Sequence, residues 1–373
     1  MSRWSYILPA ILAVIFFAGV ELFARLALFD LVSYTNSSKL DSSWASAKLH
    51  SDEIEVFAIG SSEILYGLDP AIFDEIGTAR DCDAKTFNFG IEGFGPTHFE
   101  IVLENVRYDE TLPSAKIALI GINMFERHDS IPINLESGFK CDSMAGDLQR
   151  SVFTSGFGRD SGLSALCPHT KNGSVFGWLE DQLSEFSLAY RHRQAIRSLI
   201  LYGDAHHQDP SRKDVQKRVR ENGFYYSPGM TDETFAFHMD RWKNNFSQIA
   251  YWKEDIKLDT WESYIEHGGI FDRIARQVEA QGLLPVFVAN PSNPVMIADT
   301  NREGFYASNA QLMMAWTESR GYAFLDAGIL GAFNPKSDFE DHRHVSGEGA
   351  RKVSRTLADQ FFENAIVRER IGC

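Results

Sequence analysis

The chain has 373 residues, with 51 acidic and 36 basic side chains and a formal net charge of −15. That length accommodates one large α/β domain with insertions, or two domains. The acidic balance excludes nucleic acid as a partner, because phosphate binding needs a basic face, and it serves solubility.

The first informative stretch is Ile7–Val20, which carries no charge; apolar character continues past Glu21 and Arg25 to Val32. A helix from Trp4 to about Phe29 is long enough to span a bilayer. A cleaved signal peptide is the competing reading, but no clean small-x-small site follows the run. Residues 1–32 are therefore expected to be an uncleaved anchor and residues 33–54 a linker, with Tyr34–Ser51 rich in serine and asparagine. Arg3 and the amino terminus favour a cytoplasmic start, which puts residues 55–373 outside the cytoplasm, in the periplasm or at the cell surface. Glu21 and Arg25, four apart, can pair near the interface.

Val56–Ile59 reads as a buried strand. It stops at Gly60-Ser61-Ser62 and turns at once into a helical segment, Glu63–Leu65, before Gly67. Such a turn projects a hydroxyl from the carboxyl edge of a sheet, where open α/β sheets place their ligands. Ser62 is the candidate nucleophile. Asp69-Pro70 then opens a helix ending near Gly77. Thr86–Phe89 is a second strand, and Gly90, Gly93 and Gly95 free the following loop to aim backbone N–H groups at an anion. Pro96–Val106 has helical periodicity. Lys116–Asn123 is a third strand, apolar almost throughout as a buried parallel strand should be. Asn123 closes it with a side-chain amide able to donate into the same crevice.

From Met124 to Gly269 the pattern suggests a long, mainly helical insertion. Glu136–Ser174 reads as loop; Leu179–Leu201, Thr231–Trp252 and Asp259–Gln281 read as helices. His206, His207, His238 and His267 do not have metal-ligand spacing. The four cysteines, Cys82, Cys141, Cys167 and Cys373, lack it too. Neither metal nor cofactor is expected. Cys141 and Cys167, in one loop-rich stretch, either pair in an oxidising compartment or remain thiols. The aromatic residues Phe224, Tyr225, Tyr226, Trp242, Trp252 and Trp261 either offer flat faces of the kind that suit sugar rings or belong to the core.

Leu283–Ala289 is a fourth strand, followed by the turn Asn290–Pro294. A helix over Glu303–Arg320 and a strand at Tyr322–Leu325, closed by Asp326, continue the alternation. Strand–helix alternation indicates a parallel sheet covered on both faces. With right-handed crossovers, this predicts a three-layer α/β/α sandwich with a flavodoxin-like sheet. The last stretch is Asp338–Ala350. There Asp341 and His344 lie three apart on one loop, just before a helix starting near Gly347. The carboxylate can fix the imidazole tautomer while the other ring nitrogen faces a nucleophile.

Taken in order, these stretches resemble the SGNH, or GDSL-like, hydrolase superfamily. Its pattern is a serine after the first strand, a glycine after the second, an asparagine after the third and Asp-x-x-His near the C-terminus. Ser62, Gly93, Asn123, Asp341 and His344 match it, over Val56–Asn123 and about Leu283–Phe362. Ser61 stands where the family usually has aspartate, and Met124 where aspartate often follows the asparagine. With the anchor, the Gly-Ser-Ser variant is similar to the acyl-transfer branch: the membrane-anchored D-alanyl-transfer protein of the teichoic-acid pathway and SGNH-type O-acetyltransferases of exported polysaccharides.

The resemblance implies a serine enzyme without cofactor. Ser62, Asp341 and His344 would be catalytic, and Ser62, Gly93 and Asn123 would form the oxyanion hole. It further implies an acyl donor, a glycan acceptor and a membrane-embedded acyl-transfer partner. A carbohydrate esterase or deacetylase, and a non-catalytic glycan-binding or scaffold protein, are the other expectations.

Overall fold

The computed structural model describes residues 4–26, 47, 50–91, 95–96, 99–100, 103, 112–124, 187, 189, 193–203, 222–224, 229–241, 258–300, 303–328, 333–341 and 343–373. In chain order the elements are α1 (Trp4–Leu26), β1 (Ile54–Gly60), α2 (Ser62–Gly67), α3 (Pro70–Ala79), β2 (Lys85–Gly90), β3 (Ile117–Ile122), α4 (Arg193–Tyr202) and α5 (Asp232–Arg241). There follow α6 (Leu258–Ile265), α7 (Ile270–Ala280), β4 (Leu284–Ala289), α8 (Pro294–Thr300), α9 (Glu303–Arg320), β5 (Ala323–Asp326), α10 (Gly347–Glu363) and α11 (Ala365–Ile371). The chain divides into two compact units, Met1–Ala45 with Lys140–Arg220 and Ser46–Phe139 with Glu221–Cys373.

In the first unit, α1 is a 23-residue helix whose Val14, Phe16 and Phe17 side chains are exposed. The carboxylate interrupting its apolar run is bonded: Glu21 Oε2 accepts from Ser187 Oγ at 2.9 Å and from the Ala189 N–H at 3.1 Å. The side chain of Arg25 lies outside the described residues. Taken over the described residues, no helix is long and apolar enough to cross a membrane.

The second unit is α/β. Its five strands are all parallel, in the order β2-β1-β3-β4-β5. Alternate strand residues serve two cores, as the two-residue side-chain period requires. Val56, Ala58, Ile117, Leu119, Val286 and Val288 share one cluster with Phe73 of α3, Leu357 and Phe361 of α10 and Val367 of α11. Residues of opposite parity meet an aromatic layer. Phe57 stacks edge-on with Phe89, and Phe287 lies between Phe271 of α7 and Trp316 of α9, with centroids 5.8 and 5.2 Å away. Burial of both faces explains why these strands read as continuous apolar runs.

Several expectations are corrected or refined. Asp259–Gln281 is two helices, α6 and α7, because Gly268 between them adopts a left-handed φ of +85°. The expected turn Asn290–Pro294 leads directly into an additional helix, α8. In the Pro96–Val106 stretch only Pro96, Phe99, Glu100 and Leu103 are described, as helical. Much of the insertion lies outside the described residues; α4, α5 and α6 are its described helices. Of the aromatic residues read as either sugar platforms or core, Trp261 and Phe224 are core. Trp261 is fully buried against Tyr264 and Phe271, and Phe224 is also buried.

Cys82, in the loop before β2, forms a disulfide with the C-terminal Cys373, 291 positions away. Cys141 and Cys167 lie outside the described residues.

The strands end together at Gly60, Gly90, Ile122, Ala289 and Asp326, so the segments after them share one edge of the sheet. The strand order reverses direction at β1/β3, the switch point where a crevice opens beyond the carboxyl ends. Ser62 and Asn123 follow these two strands. Helix α2 lies close against the same strands: a Cβ on Gly60 or on Gly121 would come within 2.2 or 2.1 Å of Ile64 Cγ1. Glycine at these two positions lets the helix that carries Ser62 sit down on the sheet.

Candidate active site

The turn after β1 is built by its serines. Ser61 is the N-cap of α2, in extended conformation, and its Oγ accepts from the Glu63 N–H at 3.2 Å. A hydroxyl at this position satisfies one of the open N–H groups of a first helical turn. Ser62 is the first residue of the helix, so its own N–H has no intrahelical acceptor. The far end of this short helix is held by Asn88, buried in the middle of β2. Its amide donates to Ile64 O at 2.8 Å and Leu68 O at 2.7 Å, while its Oδ1 accepts from the Gly90 N–H. Ser354 of α10 adds a further tie, donating to Gly67 O and accepting from the Asp69 N–H.

The other half of the site is a tight reversal between residues 338 and 346. Phe339 and Val345 form an antiparallel bridge, Glu340 N–H donates to His344 O at 2.8 Å, and Ser346 N–H donates to Asp338 O at 2.9 Å. Asp338 is fully buried. Its carboxylate accepts from Lys352 Nζ at 2.7 and 2.9 Å and from the Asn334 N–H at 2.7 Å. Ser346 caps α10 and fixes the exit from the turn by donating to Ser337 O.

Within this frame Asp341 Oδ1 accepts the N–H groups of Arg343 and His344, both at 2.7 Å, and Oδ2 lies 2.8 Å from His344 Nδ1. His344 Nε2 lies 2.7 Å from Ser62 Oγ, and the Tyr66 ring packs edge-on to the imidazole at 5.2 Å. Burial opposes ionisation of Asp341, but the hydrogen bond and charge of His344, with the two backbone donors, outweigh it and hold the carboxyl well below the usual range. Burial likewise works against a charged His344, and the hydrogen bond and charge of Asp341 outweigh it, so its pKa lies above the ordinary value. With Asp341 ionised, Nδ1 carries the proton and donates to it, leaving Nε2 to accept from the Ser62 hydroxyl.

Asn123, buried at the end of β3, donates from Nδ2 to Glu63 Oε1 at 2.5 Å. Arg343 Nη2 donates to the same oxygen at 3.2 Å. The structure thus brings together Ser62, His344 and Asp341, and reaches Asn123 through the residue next to Ser62. Gly93 lies outside the described residues. Glu63, Arg343 and Asn88 were not anticipated. A charged residue set in the otherwise apolar SSEILYG, and an asparagine inside TFNFG, were the available signals. Among the described residues no cluster of three or more His, Cys, Asp or Glu side chains could hold a metal ion.

No protein-family model matches this sequence, and no curated protein is significantly similar to it.

Proposed function

We propose that the chain is an SGNH-type serine acyltransferase that modifies an exported or cell-envelope polysaccharide through an acyl-Ser62 intermediate. In this reading the second unit is a three-layer α/β/α sandwich of flavodoxin-like order, and the N-terminal segment, residues 1–32, anchors the chain with that unit outside the cytoplasm. The observation that carries it is the continuous hydrogen-bond chain Asp341–His344–Ser62, with links of 2.8 and 2.7 Å, at the switch point of a parallel sheet. The uncharged run Ile7–Val20 supports an anchor, and the Cys82–Cys373 disulfide supports an oxidising compartment.

Ser62 Oγ attacks the ester carbonyl of the acyl donor as His344 Nε2 takes its proton. The tetrahedral oxyanion is met by the Ser62 and Gly93 N–H groups and an N–H of Asn123; one such donor is worth about 10²–10³ in turnover. Collapse expels the donor alcohol, which recovers the proton from His344, and leaves acyl-Ser62. A sugar hydroxyl, deprotonated by the same imidazole, then attacks the acyl carbonyl and releases the serine. Asp341 orients the ring and stabilises the imidazolium at both proton transfers.

The test is covalent labelling of the full chain with a fluorophosphonate. Wild type is expected to label at Ser62, with Ser62→Ala inert and His344→Gln slowed by orders of magnitude. Equal labelling of wild type and His344→Gln would remove the basis for the proposal. Transfer of labelled acyl groups to a candidate polysaccharide distinguishes this activity from hydrolysis. Release to water alone, with every acceptor tried, would favour a carbohydrate esterase.

A further inference from the structure

Glu63 is a carboxylate immediately after Ser62, and it is only 5 % exposed. Burying a carboxylate is costly unless it is paired and hydrogen-bonded, and an apolar side chain at the same place would cost nothing of the kind. Its partners come from two other segments of the site. One oxygen, Oε1, accepts from Asn123 Nδ2 at 2.5 Å and from Arg343 Nη2 at 3.2 Å. Asn123 immediately follows β3, and Arg343 precedes His344. One carboxylate oxygen therefore joins the helix of the nucleophile, the strand end bearing the oxyanion amide and the loop bearing the base.

Two chemical consequences follow. A carboxamide is planar and carries two hydrogens on its nitrogen. Once Glu63 takes one of them, the rotamer of Asn123 and the direction of its second N–H are fixed. The second consequence concerns charge. The groups facing His344 are Asp341 and Arg343 on its own loop, and Glu63 with the Tyr66 ring on α2. The Arg343 guanidinium opposes formation of an imidazolium, and the Glu63 carboxylate favours it.

We propose that Glu63 is a positioning residue of the acyl-transfer site, setting the Asn123 amide and offsetting the Arg343 charge beside His344. The proposal rests on the serine-enzyme reading above, and its test separates the two. His344 is titrated by NMR in the histidine-labelled full chain, using His344→Gln to identify its signal. Ser62 labelling rates are measured across pH on the same samples.

Glu63→Gln is expected to lower the His344 pKa, and Arg343→Gln to raise it. The acid limb of Ser62 labelling should move in the same directions, and the double variant should return it close to wild type. Glu63→Ala, which removes the acceptor of the Asn123 Nδ2–H, should also slow labelling about tenfold or more through the freed Asn123 amide. A purely structural role would lower the amplitude without moving the titration. Should Glu63→Gln fail to fold, Glu63→Asp decides: it keeps the charge but shortens the reach to Asn123, so labelling must slow while the His344 titration stays near wild type. An unmoved His344 titration in Glu63→Gln, with wild type labelling normally, overturns the role of Glu63. A shifted titration in a chain whose Ser62 never labels supports that role and overturns the serine-enzyme reading instead.

Discussion

Lys352→Met tests how the His344 loop is held. Asp338 is fully buried, and both its carboxylate oxygens accept from Lys352 Nζ, at 2.7 and 2.9 Å. Removing one partner of a buried pair costs about 3–5 kcal/mol, chiefly because the remaining charge is stranded. Two features reduce that here. The Lys352 side chain is 44 % exposed, so water screens the pair, and Asn334 N–H and Ser337 Oγ still reach Asp338 after the substitution. The expected local loss is therefore about 2 kcal/mol.

The same aspartate accepts Ser346 N–H on its backbone carbonyl, closing the reversal that carries Asp341 and His344. Hydrogen exchange read by mass spectrometry over residues 338–350 is a suitable assay, because it reports opening of this segment alone. A loss of 2 kcal/mol corresponds to roughly thirtyfold faster exchange there, with little change in β1 and β3. The pair variant Asp338→Asn/Lys352→Met should recover most of the protection, since no charge is then stranded. Exchange within twofold of wild type in Lys352→Met, or a pair variant as fast as Lys352→Met, would refute this account of the loop.

Two further outcomes are expected. Attack by Ser62 needs neutral His344, so its labelling rate should rise with pH through a value above the ordinary 6.5; Asp341→Asn should move that limb to lower pH and slow labelling by about 10³–10⁴. Linkage gives the matching stability signs. The His344 contribution is full below its unfolded pKa and fades as pH rises through the folded one. The Asp341 contribution is full above about pH 4 and fades as pH falls toward its depressed value, both measurable as urea midpoints against His344→Gln and Asp341→Asn. Cys373→Ser should cost about 2–5 kcal/mol by urea unfolding, and a reducing agent should lower the wild-type midpoint likewise; identical midpoints with and without reductant would rule that out.

Much of this architecture was legible in the chain because its signals are local. Val56–Ile59, Thr86–Phe89 and Leu283–Ala289 each fall inside an observed strand or differ from it by a residue, since a doubly covered sheet needs unbroken apolar runs. Ser62, Asp341 and His344 were legible as residue types at strand ends and on a tight loop. What escaped depends on distant partners. Glu63 and Arg343 are 280 positions apart, and nothing near either one announces the other. Asn88 looked like an ordinary strand residue, although its amide holds the carbonyls of Ile64 within α2 and Leu68 just past it. Cys82 and Cys373 pair across nearly the whole chain, a separation of 291 residues that no local spacing marks. Trp261, open to both readings by its chemistry, faces the core from its place on a helix. Gly349, two residues into α10, is required by sterics, because a Cβ there would lie 2.0 Å from Asp338 O.

The central claim is an acyl group carried on Ser62. It is tested most directly by exposing the full chain to acyl donors, quenching in acid and measuring the mass of the peptide that contains Ser62. The account predicts an increment equal to the acyl group on Ser62, absent in Ser62→Ala and discharged when the acceptor glycan is added before the quench. Transfer without any adduct on Ser62, or an adduct that forms equally in His344→Gln, would contradict it.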